Sequence, residues 1–207
     1  MATSVQDAAP PCGTLFLLVG PSGAGKDTLL DGARARLEPR GGHVFPAREI
    51  TRPEDAGGER HVPVSEEGFA ARVACGAYAL HWRAHGLGYG VPMGLCLELL
   101  RGRHVVVNAS RSVLDEARRR FPSVRIVHVT APPAVLRVRI EARGREAGED
   151  VEARVARAAG WTVDGPDVLE VRNDGSIGEG IERLVAALGP PPARGADDGA
   201  RVAQALR

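Results

Sequence analysis

Gly20-Pro21-Ser22-Gly23-Ala24-Gly25-Lys26-Asp27-Thr28 is the stretch on which the fold turns. Before it stands an apolar run, Thr14–Val19, of the kind that forms a buried parallel strand. After it a helix is predicted over Asp27–Leu37, with Leu29, Leu30, Ala33 and Leu37 on one face. Glycines let the turn close around an anion with its N–H groups inward, and the start of the helix adds partial positive charge. Strand, glycine-rich turn and helix in that order are the context of a phosphate-binding loop. All nine residues are candidates for holding the phosphates of ATP. Lys26 is the candidate catalytic cation, bridging the β- and γ-phosphates.

Composition sharpens the reading of Lys26. Of 27 basic residues in this 207-residue chain, it is the one lysine. Arginine serves every other cationic position, so Lys26 stands where a slim point charge is needed and a planar fork is not. The net charge of +1 exerts no global pull toward nucleic acid or an anionic membrane. No apolar run approaches the roughly 20 residues that span a bilayer. Met1–Pro11 lacks the basic start and apolar stretch of a signal peptide. Cys12, Cys75 and Cys96 have no metal-ligand spacing, which suits free thiols in a reducing cytoplasm. A cytoplasmic protein with no nucleic-acid or membrane partner is expected, with monomer and homodimer both open.

Further strands are predicted at His104–Asn108, Ser123–Thr130 and Val168–Val171. Helices are predicted at Met93–Leu100, Arg111–Phe121, Pro132 to Arg143, Asp150–Ala159 and Ile177–Leu188. Strands alternating with helices argue for an α/β fold with a parallel core sheet. Residues 45–92 differ, being dense in Gly, Pro and His, with short pieces only at Val62–Val64 and Ala77–Trp82 and a helix at Glu66–Ala74. They read as an inserted substrate-binding lobe. Residues 1–12 and 189–207 are expected to be disordered around a single domain, 13–188.

Two positions depart from the usual phosphate-binding loop. The residue after the lysine is normally Ser or Thr, whose hydroxyl meets Mg²⁺. Here it is Asp27, followed by Thr28, which is placed for the α-phosphate. The second predicted strand ends in Asn108 where an Asp often holds Mg²⁺ through water. The two changes are expected to compensate, with the carboxylate moved to the loop and Asp27 as the candidate Mg²⁺ ligand.

Gly20–Thr28, Ile50-Thr51-Arg52-Pro53, Gly58-Glu59, Val64-Ser65, Phe69, Tyr89-Gly90, Arg143-Gly144 and Asn173-Asp174 together resemble the guanylate kinase superfamily over residues 13–188. The resemblance implies a P-loop NTPase with a core sheet, a substrate lobe and an arginine-bearing lid at 142–158. Arg143 and Arg154 align with lid arginines that close over the transferring group. Asn173 and Asp174 would border the adenine. Arg52 would grip an acceptor phosphate, and Glu59, Tyr89 and Asn108 belong to the same implied substrate set.

The guanine-reading positions do not match. His81 stands before Trp82 where a Glu is usual, Ser110 replaces a second acidic contact, and His61 replaces a phosphate-touching tyrosine. Gly88 replaces another tyrosine, and the second clamp arginine is missing after Arg52-Pro53-Glu54-Asp55. Without those carboxylates the N–H donors of guanine lack acceptors. The Gly-Lys-Asp loop, the Trp82–Gly90 stretch, Val107-Asn108-Ala109-Ser110-Arg111 and Arg143-Gly144-Arg145-Glu146 resemble a narrower family, the ribose 1,5-bisphosphokinases of phosphonate breakdown. That resemblance implies ATP, Mg²⁺ and ribose 1,5-bisphosphate as reactants, and 5-phosphoribosyl 1-diphosphate as product. His81 and His85 would then hydrogen-bond sugar or phosphate. The alternatives are a nucleoside monophosphate kinase and, more remotely, a non-catalytic guanylate kinase-like binding module.

Overall fold

The computed structural model describes residues 12–53, 60–143, 155, 156, 158 and 160–191. Glu59, Arg154, residues 1–11 and 192–207, and most of the predicted 150–159 helix lie outside them, as does the side chain of Arg143.

A five-stranded parallel sheet runs in the order β2-β7-β1-β8-β9, with β1 at Leu15–Val19, β2 at His43–Val44, β7 at His104–Asn108, β8 at Val124–Thr130 and β9 at Val168–Arg172. All five residues of β1 are buried. Its side chains alternate between two cores, as the pleat of a strand covered on both faces requires. Phe16 and Leu18 meet Leu29, Ala33 and Leu37 of α1 (Lys26–Leu37), Leu136 and Ile140 of α5 (Pro133–Arg143), and Leu184 and Leu188 of α6 (Ile177–Leu188). Leu15, Leu17 and Val19 meet Leu95 and Leu99 of α3 (Leu95–Leu100) and Leu114 and Ala117 of α4 (Leu114–Arg120).

The sheet order places β7 on one side of β1 and β8 on the other. The chain therefore reverses its winding at β1, and ligands of open parallel sheets bind at the carboxyl end of such a strand. The glycine-rich loop leaves β1 there.

Residues 48–92 build a second sheet, in the order β4-β3-β6-β5, with β3 at Arg48–Ile50, β4 at His61–Pro63, β5 at Tyr78–Ala84 and β6 at Leu87–Pro92. The predicted short pieces are β4 and β5, while β3 and β6 are additional. Helix α2 (Glu66–Ala74) starts where Ser65 accepts a hydrogen bond from the Gly68 N–H at 3.0 Å. Its Phe69 ring lies over Gly88, where a Cβ would come within 2.9 Å of that ring. Gly88 therefore stands in place of a tyrosine for a packing reason. Tyr78 donates to Glu49 at 2.6 Å, and Arg72 of α2 pairs with the same carboxylate. Burial and that carboxylate raise the phenol pKa to about 12. Trp82, Leu80 and Val91 on the other face join the core beneath β1.

Smaller differences have local causes. The predicted 111–121 helix divides into a 3-10 turn at Arg111–Val113 and α4, because Ser110 caps the turn by accepting from Ser112 N at 3.3 Å. Helix α6 has its predicted bounds, set by a capping box between Ser176 and Glu179. Past α6, Pro190 O accepts from His104 Nε2 at 3.1 Å. The three cysteines are free thiols.

Candidate active site

Helix α1 follows its N-cap Gly25, with φ 87°, and no side chain caps its first turn. Its leading N–H groups are thus presented to whatever the loop encloses. A Cβ on Gly25 would lie 2.5 Å from Asn173 Nδ2, so glycine answers here to both backbone conformation and space. Lys26 Nζ folds over the loop, donating to Gly20 O at 2.7 Å and Pro21 O at 3.1 Å. Behind it His128 is buried against Trp161, with ring centroids 4.6 Å apart. Burial lowers the His128 pKa against the opposing pull of Glu170 and Asp164, and Lys26 adds to the lowering.

The loop is braced from the end of β9. Asn173, 4% exposed, donates from Nδ2 to Ala24 O at 2.7 Å, while its own N–H reaches Thr130 O at 2.7 Å. Arg139 of α5 donates to Asn173 O at 3.1 Å and reaches Ala24 O at 3.5 Å. The structure thus turns Asn173 onto the loop backbone, whereas sequence reasoning placed it beside the adenine. Asp174 is held by Arg172 at 2.6 Å and Arg183 at 2.8 Å. The Arg183 hydrogen bond holds its carboxyl below the usual range. Arg139 went unnoticed in the sequence, although its position beside the buried Leu136 and Ile140 stripe marks it as inward-edged.

The two departures from the usual loop touch each other. Asn108 Nδ2, at the end of β7, donates to Asp27 Oδ1 at 2.7 Å. An Asp at 108 would set two carboxylates against one another, so an amide there follows from an aspartate at 27. Asp27 and Asn108 open onto a narrow cleft between α1 and the second sheet, lined further by Asp31, Arg34, Arg48 and Arg60.

The remaining candidates divide by face. In β5 and β6, Trp82 pairs with Tyr89 and His81 with Gly90, so His81 and Tyr89 point to opposite faces. Tyr89 stacks on Trp82 with centroids 5.3 Å apart. The Arg48 guanidinium lies 5.2 Å from the Tyr89 ring and 5.5 Å from the Trp82 ring. His81 instead meets Phe69 and Tyr78 on the α2 side, in a separate groove that includes Ser112. His85 occupies the exposed tip of the β5–β6 hairpin with φ 52°, beside Gly86 at 76°, and so serves a tight turn. His61 Nε2 is 3.2 Å from Arg52 O, pinning the segment that carries Arg52. Arg48 and Arg60 were missed, because β3 is three residues long and sits in a Gly- and Pro-dense region. The Arg48-Glu49-Ile50 alternation is the signal that reveals the strand.

No protein-family model matches the chain. It is 50% identical over 181 residues to the ribose 1,5-bisphosphate phosphokinase PhnN of Chromobacterium violaceum, covering 87% of this chain and 96% of that one. It is 46% identical to the PhnN of Rhizobium etli, over 85% of this chain and 89% of the relative.

The chain belongs to the ribose 1,5-bisphosphate phosphokinase family.

Larger relatives of this family carry a second activity in their name. The bifunctional ribose 1,5-bisphosphokinase-thymidine phosphorylase of Azorhizobium caulinodans is 46% identical over 88% of this chain, which spans 26% of that protein. The family's fold is that of a guanylate kinase. The crystal structure of the enzyme from Anaplasma phagocytophilum superposes with a TM-score of 0.58 over 86% of both chains, at 19% identity. The expected α/β fold with a parallel core sheet is therefore the one observed, and that guanylate kinase shares it.

Proposed function

We propose that the chain transfers the γ-phosphoryl group of ATP to the 1-phosphate of ribose 1,5-bisphosphate, giving 5-phosphoribosyl 1-diphosphate and ADP. The observation that carries this reading is the 50% identity over nearly the whole length of a relative named for that activity. The reaction forms a P–O bond from a 1-phosphate oxygen to the γ-phosphorus and breaks the bond from that phosphorus to the β,γ-bridging oxygen. The attacking oxygen is already ionised, so no general base is required. Rate comes from alignment and charge stabilisation.

Each part of the site has a place in that scheme. The uncapped start of α1 receives the donor phosphates, and Lys26 exchanges the loop carbonyls for the β- and γ-oxygens. Asn173 and Arg139 hold the loop in shape, with Asn173 and Asp174 at the nucleotide end. Arg52 and Tyr89 serve the acceptor, and Arg143 and Arg154 close from the lid. Residues 45–92 form the substrate lobe. Asp27 fits Mg²⁺, a hard cation bound through one or two carboxylates plus substrate phosphates, because its carboxylate opens onto the cleft and is oriented by Asn108. When bound, the ion neutralises charge on the phosphate oxygens. The protein is placed in the cytoplasm.

The test is a coupled ADP-release assay with ATP-Mg²⁺, offering ribose 1,5-bisphosphate or GMP. The expected result is turnover of the sugar at least about 100-fold above GMP in kcat/KM, the scale on which a mismatched polar site discriminates. Turnover of GMP alone makes the chain a guanylate kinase and overturns the reading.

A further inference from the structure

We propose that Arg48 is the specificity residue that binds the distal, 5-phosphate of the acceptor, with Arg60 beside it. This rests on the acceptor named above and assigns the end of it that does not react.

The cleft has a direction. At one end Asp27 and Asn108 adjoin the phosphate-binding loop, and from there it follows α1 past Asp31 to Arg34. Seven residues of helix rise about 10 Å, which separates two anion positions within one cleft. The end nearer the loop takes the reacting 1-phosphate, because Asp27 there follows Lys26 directly in the chain. Arg48, in β3, and Arg60, just before β4, line the wall across from α1. The aspartates of the cleft are engaged. Asp27 accepts from Asn108 at 2.7 Å, and Asp31 pairs with Arg34 at 2.5 Å. Arg34, Arg48 and Arg60 are the cationic groups of the cleft's lining, beside Asp27 and Asp31.

Arg48 is also built to receive an anion. It is 7% exposed, and the Trp82 and Tyr89 rings fix its guanidinium plane. A planar fork held in place loses little freedom on gripping a phosphate with two parallel hydrogen bonds. The same fork offers donors only, so it cannot satisfy the N–H groups of guanine. One residue then accounts for acceptance of a second phosphate, while it leaves the N–H donors of guanine without acceptors.

The test compares kcat/KM for ribose 1,5-bisphosphate with that for ribose 1-phosphate, which lacks the distal phosphate. In Arg48→Met the preference for the bisphosphate is expected to fall by about 30-fold or more, the low end for truncating one partner of a buried charge pair. In Arg48→Lys, which keeps the charge and loses the fork and stack, it is expected to fall by about tenfold. A purely structural role lowers both acceptors together, and an unchanged ratio in the folded variants overturns the assignment. Should the Met variant not fold, the Lys variant decides alone. Absence of wild-type turnover with ribose 1,5-bisphosphate is a separate result, which overturns the functional reading itself.

Discussion

The two sheets solve different problems with different chemistry. The five-stranded sheet is covered on both faces and offers its ligand backbone N–H groups and one lysine at the end of β1. In the proposed reaction it recognises polyphosphate, the part shared by every ATP-dependent kinase. The four-stranded sheet has an α2 face, where Phe69, Tyr78 and His81 pack, and a face toward the rest of the protein, where Trp82 and Tyr89 carry Arg48. Backbone recognition tolerates little variation, whereas a guanidinium on an aromatic stack can be exchanged without disturbing the donor site. On this account donor chemistry is fixed in the first sheet and acceptor choice is set in the second.

The largest effect expected from breaking this division is at Lys26. Lys26→Met should lower kcat by about 10³-fold or more while thermal unfolding stays near wild type, since the side chain stabilises transferring charge and contributes nothing to the core. Steady-state kinetics beside a melting curve checks it. Next comes the core beneath the loop. Leu18→Ala, at a fully buried position of β1, should cost about 2–5 kcal/mol in urea unfolding, against less than about 0.5 kcal/mol for Val62→Ala on the exposed face of β4.

Asp27 and Asn108 sharpen the comparison because each belongs to the donor side and both face the cleft. Asp27→Ser and Asn108→Asp should each reduce activity about 10–100-fold and weaken its Mg²⁺ dependence. The double exchange should exceed the worse single variant, and a double no better than that variant disproves the compensation.

The smallest effect concerns pH, at the far edge of the first sheet. His104 accepts from Thr14 N at Nδ1 and donates from Nε2 to Pro190 O, so its ring is neutral in the fold. Burial lowers its pKa from the ordinary 6.5. Burial also lowers that of His43, with contributions from His104 and Arg40. Both imidazoles bind protons more readily in the unfolded chain, so stability is full above pH 6.5 and declines as pH falls below it, before the carboxylates titrate. Urea midpoints at pH 7.5 and 5.5 test this. The decline should shrink in His43→Leu, and an equal decline in that variant contradicts it.

The centre of the first sheet was legible because β1 and β7 are buried on both faces and appear as continuous apolar runs, Leu15–Val19 and Val105–Val107, whereas β2, two residues long, was not. The loop was legible because its glycines and single lysine leave few other uses. The second sheet was less so. In β6, Gly88 and Gly90 occupy positions where Phe69 and Tyr78 fill the space, which erases the alternation that marks a strand. His81 and Tyr89 were both read as substrate-binding candidates, and the Trp82–Tyr89 pairing sends them to opposite faces. Asn173 was read as a neighbour of the adenine, and its bond to Ala24 O was not legible because it depends on the approach of β9 to the loop, a contact between residues 149 positions apart.

The most direct test of the central claim is ³¹P NMR of the reaction mixture with ATP-Mg²⁺ and ribose 1,5-bisphosphate. The account predicts that the 1-phosphate resonance gives way to the coupled pair of a diphosphate while the 5-phosphate resonance persists as a monoester. An unchanged sugar spectrum beside conversion of GMP to GDP would contradict it.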